Sequence, residues 1–460
     1  TIDKVYFGRF PIMLQSNLCL LNKLSPEARY NMGECRNDPG GYFIIDGNEK
    51  SLVSQEGRAN NTLYILKDIN DLYSYSAEIK SVSEDASKPV RTLAIRIVGE
   101  QPSLTNKQIV VNIPQVRKAI PLFIVMRALG IISDKDIITH CLLDLDSYEN
   151  YIDLFIPSIH NAGNIFTQKA ALSFIATFTK GKTLNHVLEI LMNYFLPHIG
   201  ELNFKAKALY LGYIVKRLLN VYTGLEKPTD RDSFKFKRLE VSGNLLYSLF
   251  KEYYKLQQDN IYLKIDKEYF YKKNQTSYQN LDFINLIHKN VELFFNDRIV
   301  ETGFKKAFKG NWGSTEHTKR PGIAQETNRL SFWGFLAQLR KTNLYISADG
   351  AKVVGPRLLH STQHGLLCPI HSPDGGNVGL HNHMALAAIV TPGCSGRPYI
   401  KYLRKLENQG IKLLEECSLE YLSNSTKIFL NGGWIGCTHN PLRIINIMKL
   451  HRRNGMIDIY

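Results

Sequence analysis

The hydrophobic period changes along this chain, and no fold built from one kind of element accommodates the change. Leu93, Ile95 and Ile97 alternate with smaller or polar residues, as on a half-buried strand. Over 204–218 the spacing is helical instead. Phe204, Ala208, Leu211, Val215 and Leu218 share one face, with Lys205, Lys207 and Lys216 elsewhere. Thr167–Phe178 and Leu184–Leu196 read as two more helices, the second ended by Pro197. In the β-rich first hundred residues, Gly40-Gly41 turns the chain into Tyr42-Phe43-Ile44-Ile45, and Asp46-Gly47 is a second turn signal. The expected class is α+β and multidomain, with mixed sheets and helices. A length of 460 residues suggests roughly three domains.

Lys227-Pro228-Thr229-Asp230-Arg231-Asp232 is the clearest internal linker. A Lys/Tyr-rich helical region follows to about residue 300. Gly, Pro and His then punctuate short strands through 395. The last part returns to α/β, with a strand expected over Lys427–Trp434 and a helix starting at Asn440-Pro441. The basic group His451-Arg452-Arg453 before Gly455 suits the C-terminal end of that helix. There is no internal repeat and no low-complexity tract. The chain begins at Thr1, not Met, and Tyr460 follows closely on a helix, which reads as a fragment of a longer protein.

Hydrophobic residues make up 44% and charged residues 22%, which excludes a disordered chain. A formal net charge of +15 favours a polyanionic partner, nucleic acid or an acidic membrane surface. The membrane is the weaker choice, because the longest apolar run, Ala119–Ile132, is broken by Arg127 and is too short to span a bilayer. Seven scattered cysteines without a Cys-x-x-Cys pair fit a reducing compartment better than a disulfide framework.

Three constellations invite a chemical reading. Gly181-Lys182-Thr183 lacks the earlier glycine of a phosphate loop, since Ala176 stands there, and it follows a helix where that motif needs a strand. It is a helix-terminating turn. His360, His364, Cys368, His371, His381 and His383 lie within 24 residues and are ligand types zinc prefers, yet their spacing matches no common zinc module. A small zinc protein built on this cluster is the weaker alternative.

The stretch 301–360 is the main basic region, with ten Lys/Arg against four acids. Several cations stand beside turn-forming residues, at Gly310-Asn311-Trp312-Gly313, Arg320-Pro321-Gly322 and Asp349-Gly350 before Lys352. Cations on anchored loops reach phosphates along a duplex. Gln325, Asn328 and Arg329 are expected within one helical turn, with Arg340-Lys341 closing the same helix. The plain reading of such a stretch is a solvated charged face. The functional one is a nucleic-acid-binding protein using this patch alone, or a larger machine.

At these residues the sequence resembles the second-largest, β-type subunit of multisubunit DNA-directed RNA polymerases in its eukaryotic and archaeal form. Gly8-Arg9-Phe10-Pro11-Ile12-Met13-Leu14 is similar to the family's G-R-L-P-I-M-L, and Asp38 through Lys50 to its GGYFI-x-x-G-x-E-K segment. Further matches are Arg127-Ala128-Leu129-Gly130-Ile131-Ile132, Phe195-Leu196-Pro197-His198, Asp230-Arg231-Asp232 with Lys237-Arg238-Leu239, Gly310-Asn311-Trp312-Gly313, Cys368-Pro369, and Phe429-Leu430-Asn431-Gly432 with Trp434 and Asn440-Pro441. Each is weak alone. Collinear over nearly the whole chain, they are very specific.

The resemblance implies an anatomy: a protrusion over 1–80 and 233–300, a lobe over 81–232, a fork over 301–395 and the start of an external region over 396–460. It implies templated nucleotidyl transfer by the assembled enzyme, with this portion positioning the RNA–DNA hybrid and downstream DNA. Arg320, Gln325, Arg329, Arg340 and Lys341 match positions near the hybrid, and Ile346–Arg357, with Lys352 and Arg357, the loop that meets downstream DNA. His360 and Asp374 match the edge of the active centre. No catalytic residue is expected here, because the family's principal Mg²⁺-binding aspartates sit on the largest subunit. Implied partners are that largest subunit, smaller subunits, template DNA, the hybrid and nucleoside triphosphates, with no membrane. The implied location is intracellular, in a nucleus or, for a viral source, a virion or cytoplasmic factory.

The departures are specific. The family's E-T-P-E-G is His371-Ser372-Pro373-Asp374-Gly375 here, and in its H-x-T-H segment the second His is Gln363. Ala348 and Ala351 stand where Arg and Lys are usual, which removes cations from the downstream-DNA loop.

Overall fold

A computed structural model describes residues 4–457 apart from 68, 86–87, 101–105, 274–282, 316–317, 347–352 and 407–409. The chain divides into two compact units, residues 1–58 with 232–390 and residues 59–231 with 391–460. The architecture is α+β and multidomain, with four sheets among the described residues.

The first unit begins as a hairpin, Phe43–Ile45 against Asn48–Leu52, joined by Asp46-Gly47. Both turn residues have positive φ, 49° and 82°. That backbone twists with the strands and suits an Asp-Gly pair. Ala324–Glu326 adds to the other edge of Asn48–Leu52. A second sheet runs in the order His381–His383, Lys341–Asn343, Ser54–Arg58 and Lys237–Glu240, with the middle pair parallel. The helices Ser242–Lys273 and Ile299–Phe308 close this unit over a core of Phe43, Leu245, Leu249, Phe304, Phe308 and Trp312.

In the second unit a five-stranded antiparallel meander runs from Leu63 to Pro121. Leu93, Ile95 and Ile97 are buried in its central strand, Arg91–Val98. Helices follow at Leu122–Ala128, Asp134–Leu142, Gln168–Thr177, Leu184–Asn193 and Phe204–Tyr222. Thr183 caps the fourth of these, its hydroxyl accepting from the His186 amide, so Gly181-Lys182-Thr183 is a turn that starts a helix. That helix ends at Asn193, short of the expected Leu196. Leu196, held at φ 47° before Pro197, lies outside it.

Among the described residues of this unit, two charged side chains are buried. Arg127 donates to the carbonyls of Ile132 and Ile165 and pairs with Asp134. Lys207, expected on the polar side of its helix, is fully buried. Phe204–Tyr222 is packed nearly all round, so the stripe of five apolar residues is only part of its buried surface.

The single strand expected over Lys427–Trp434 is two strands, Thr426–Leu430 and Gly433–Thr438. Asn431 and Gly432, with φ of 48° and 82°, make the tight turn between them. Asn440 precedes the helix Pro441–Arg453, which ends in His451-Arg452-Arg453.

Candidate nucleic-acid interface

The expected site residues lie in the first unit, and most are held by neighbours remote in sequence. Gln325, Asn328 and Arg329 do not share a helical turn. Gln325 sits in the strand Ala324–Glu326, opposite Ser51, and its amide donates to the Gly322 carbonyl at 3.0 Å. Asn328 and Arg329 are in the loop that follows. The helix begins only at Phe332, where Ser331 caps it by accepting from the Gly334 amide. Strand pairing with a segment some 270 residues away overrides the local pattern. Arg340 does close that helix, while Lys341 opens the strand Lys341–Asn343.

Arg329 is the best-defined cation of the group. Its Nε lies 2.7 Å from Glu49 Oε2 and its Nη2 3.0 Å from Oε1, a two-pronged pair. Thr327 donates to the same carboxylate. The guanidinium carbon sits 4.3 Å from the ring centre of Phe335 and 5.0 Å from that of Tyr42. These two rings meet edge to face at 5.8 Å. The Tyr42 hydroxyl donates to Asp38 at 2.5 Å, and burial together with that carboxylate pushes its pKa up. The Arg329 hydrogen bond holds the Glu49 carboxyl below its usual range, against the opposing effect of burial. Glu49, Tyr42 and Asp38 were not among the residues expected at the site, although all three fall in the family-like segment Asp38–Lys50.

The other cations are tied as well. Arg320 reaches Glu240 at 3.3 Å and bridges its backbone to Trp312. Arg340 donates through Nη2 to the carbonyls of Ala385 and Leu386. Lys341 pairs in register with His383, and burial lowers its pKa. Lys352, together with Ala348 and Ala351, lies outside the described residues.

Arg357 and His360 are brought together at a cavity of about 110 Å³, also lined by Glu56, Asp232, Lys237 and Cys368. Arg357 donates to the carbonyls of Gly376 at 2.7 Å and Val378 at 3.1 Å, which anchors the loop carrying Asp374. Asp374 itself is exposed and does not line the cavity. His360 caps a short turn, its Nδ1 2.7 Å from the Thr362 hydroxyl.

The His/Cys cluster is dispersed into separate contacts. The His371 and His383 rings stack face to face, 3.5 Å between centres. His381 Nδ1 meets Asn343 Oδ1 at 2.7 Å. Among the described residues no three His, Cys, Asp or Glu side chains converge as ion ligands. Among the same residues no helix is long and apolar enough to cross a membrane.

The sequence matches the family model described as RNA polymerase beta subunit over residues 1–288, and that described as RNA polymerase Rpb2, domain 3, over residues 325–390. It is 36% identical, over 468 residues and 99% of its length, to the DNA-directed RNA polymerase II subunit RPB2 of Encephalitozoon cuniculi. It is 33% identical over 98% of its length to the protein of the same name in Schizosaccharomyces pombe. With the DNA-directed RNA polymerase subunit Rpo2 of Saccharolobus solfataricus it shares 30% over 99%. The aligned region is 39%, 37% and 39% of these three relatives, so the chain spans well under half of each.

Proposed function

Because the chain belongs to the RNA polymerase beta subunit family, we propose that it is part of the second-largest subunit of a DNA-directed RNA polymerase and helps hold the RNA–DNA hybrid and downstream DNA. The observation that carries this is the similarity to such subunits over 99% of the chain. In the assembled enzyme an RNA 3′ hydroxyl would lose its proton and attack the α-phosphate of a nucleoside triphosphate, forming the new phosphodiester as the bond to pyrophosphate breaks. The described residues do not fit a Mg²⁺ site, which calls for converging oxygen ligands that no group of acids here supplies.

What this chain's own residues offer is positioning. Arg329, Gln325, Arg320 and Lys341 would set the register of the hybrid through phosphate and sugar contacts, Arg340 would steady the backbone beside them, and Arg357 with Lys352 would contact downstream DNA. His360 and Asp374 would border the reacting end. Hydrogen-bond donors already fixed by Glu49, Glu240 or backbone carbonyls lose little freedom when a phosphate arrives.

The partners of this reading are the largest subunit, the smaller subunits, template DNA, the hybrid and nucleoside triphosphates, and its location is wherever that DNA is transcribed, a nucleus in a eukaryote. We keep the division into protrusion, lobe, fork and external region as a proposal. Its first boundary would lie nearer residue 58 than 80, since the meander Leu63–Pro121 is one sheet across residue 80.

The test is to tag the full-length protein in its host, purify it gently and assay Mg²⁺-dependent primer extension on an RNA–DNA scaffold. Recovery of a larger, acid-motif-bearing partner with growing RNA is the expected result. A protein that comes down alone, binds DNA and extends nothing is a non-catalytic binder using the 301–360 patch.

A further inference from the structure

We propose that Glu49 is a positioning residue, which turns Arg329 into a fixed, outward-facing receptor for a single phosphate of the hybrid. This rests on the hybrid-holding role proposed above for Arg329 and names the device behind it.

A guanidinium has five N–H donors in a rigid fork. Glu49 takes two of them, one on Nε and one on Nη2, at 2.7 and 3.0 Å. That leaves the second Nη2 hydrogen and both on Nη1. The side chain is 46% exposed, so the unused edge is reachable from outside. Phe335 and Tyr42 support the plane of the group, and the Tyr42 hydroxyl is in turn fixed by Asp38. A lysine in this place could not occupy such a mount, because its ammonium is a point charge on a flexible stem.

The chemistry favours support over competition. A carboxylate and a phosphate can bind opposite edges of one guanidinium without displacing each other. The Glu49 carboxyl is held ionised by the pair, so the anchor persists across neutral pH. The alternative is that Glu49 competes for Arg329 and must be displaced for a phosphate to bind. The two ideas predict opposite signs when the charge on Glu49 is removed.

The experiment measures scaffold binding by the assembled enzyme as a function of salt for Glu49→Gln, Arg329→Gln, Arg329→Lys and the double Gln variant. One lost phosphate contact reduces the log–log salt slope by about 0.9. Arg329→Gln is expected to show that loss, and Glu49→Gln a reduction of the same sign together with several-fold weaker binding. The double variant should match Arg329→Gln alone, and Arg329→Lys should not restore binding. A fold-level defect would change assembly and melting, not the slope.

Tighter binding by Glu49→Gln makes Glu49 a competitor and overturns the proposal. So does an additive double variant, or an unchanged slope in Glu49→Gln while Arg329→Gln loses its contact. If the slope of Arg329→Gln is itself unchanged, the phosphate contact fails and the positioning role falls with it. Should Glu49→Gln not assemble, Glu49→Asp, which keeps the charge but withdraws it by one methylene, is read by the same slope.

Discussion

Lys207 Nζ lies 2.7 Å from the carbonyl oxygen of Leu191 and 3.0 Å from that of Met192, inside a core where the lysine side chain is fully buried. These carbonyls belong to the last turn of the helix Leu184–Asn193, where backbone acceptors lack intrahelical partners. Lysine at this place is a helix cap supplied from a neighbouring element.

Burial lowers the Lys207 pKa from 10.5 to about 8. A base whose folded pKa is depressed binds fewer protons folded than unfolded between those two values, so its contribution to stability rises with pH from about 8 to 10.5. Urea titrations from pH 7.5 to 10.5 should show that rise in the native chain and lose it in Lys207→Met. The variant also leaves two carbonyls without their donor, at a cost of about 1–3 kcal/mol each.

His198 supplies the acid limb. Its Nδ1 lies 2.7 Å from the Ser81 hydroxyl, and its ring meets Tyr210 edge to face. Burial is the largest cause that lowers its pKa from 6.5 to about 4. The contribution is complete above pH 6.5 and is lost as pH falls through about 4. Denaturation midpoints between pH 7 and 4 should drop more steeply in the native chain than in His198→Gln. A parallel pair of curves assigns the acid loss to other groups.

Among the described glycines, Gly432 is the most tightly confined. At φ 82° it follows Asn431, and a Cβ there would stand 2.1 Å from the Asn61 carbonyl oxygen. The Asn61 side chain also donates to the Asn431 carbonyl at 3.0 Å, so the turn has no room to retreat. Gly432→Ala should destabilise this unit by more than about 2 kcal/mol, by combined clash and backbone strain. Gly47→Ala has the same φ but nothing within 4 Å of the added carbon, and should cost only about 1 kcal/mol. Thermal melts of the two variants compare clash with strain directly.

What was legible in the sequence was local. Asp46-Gly47, Asn440-Pro441 and the alternation at Leu93, Ile95 and Ile97 each act within a few residues, and each stands where its chemistry indicated. Asn431-Gly432 is equally local, and the hairpin it makes was hidden only by treating the apolar residues around it as one run. Lys207 is different, because its partners are 15 and 16 residues away on another helix. Composition marks such a lysine as surface. The same limit governs the site. The cations of 301–360 were visible as charge, but Glu49 is 280 residues from Arg329, and the strand that draws Gln325 out of a helix is as remote. The polymerase resemblance drew attention to both segments without pairing them.

Arg340 and Lys341 are adjacent in sequence and should separate in experiment. The Arg340 guanidinium secures the carbonyls of Ala385 and Leu386, and its own carbonyl accepts from the Met384 amide at 3.0 Å. Arg340→Ala therefore releases the segment after the strand His381–His383. It should lower stability by about 1–3 kcal/mol and speed proteolysis there, because two carbonyls lose a charged donor. Lys341 is only partly buried, and burial alone accounts for its lowered pKa. Lys341→Ala should leave melting nearly unchanged and reduce the salt slope of scaffold binding by roughly one. Parallel proteolysis and salt titrations on the assembled enzyme separate the two. A salt-slope change confined to Arg340→Ala would reverse the assignment and make Lys341 the structural member of the pair.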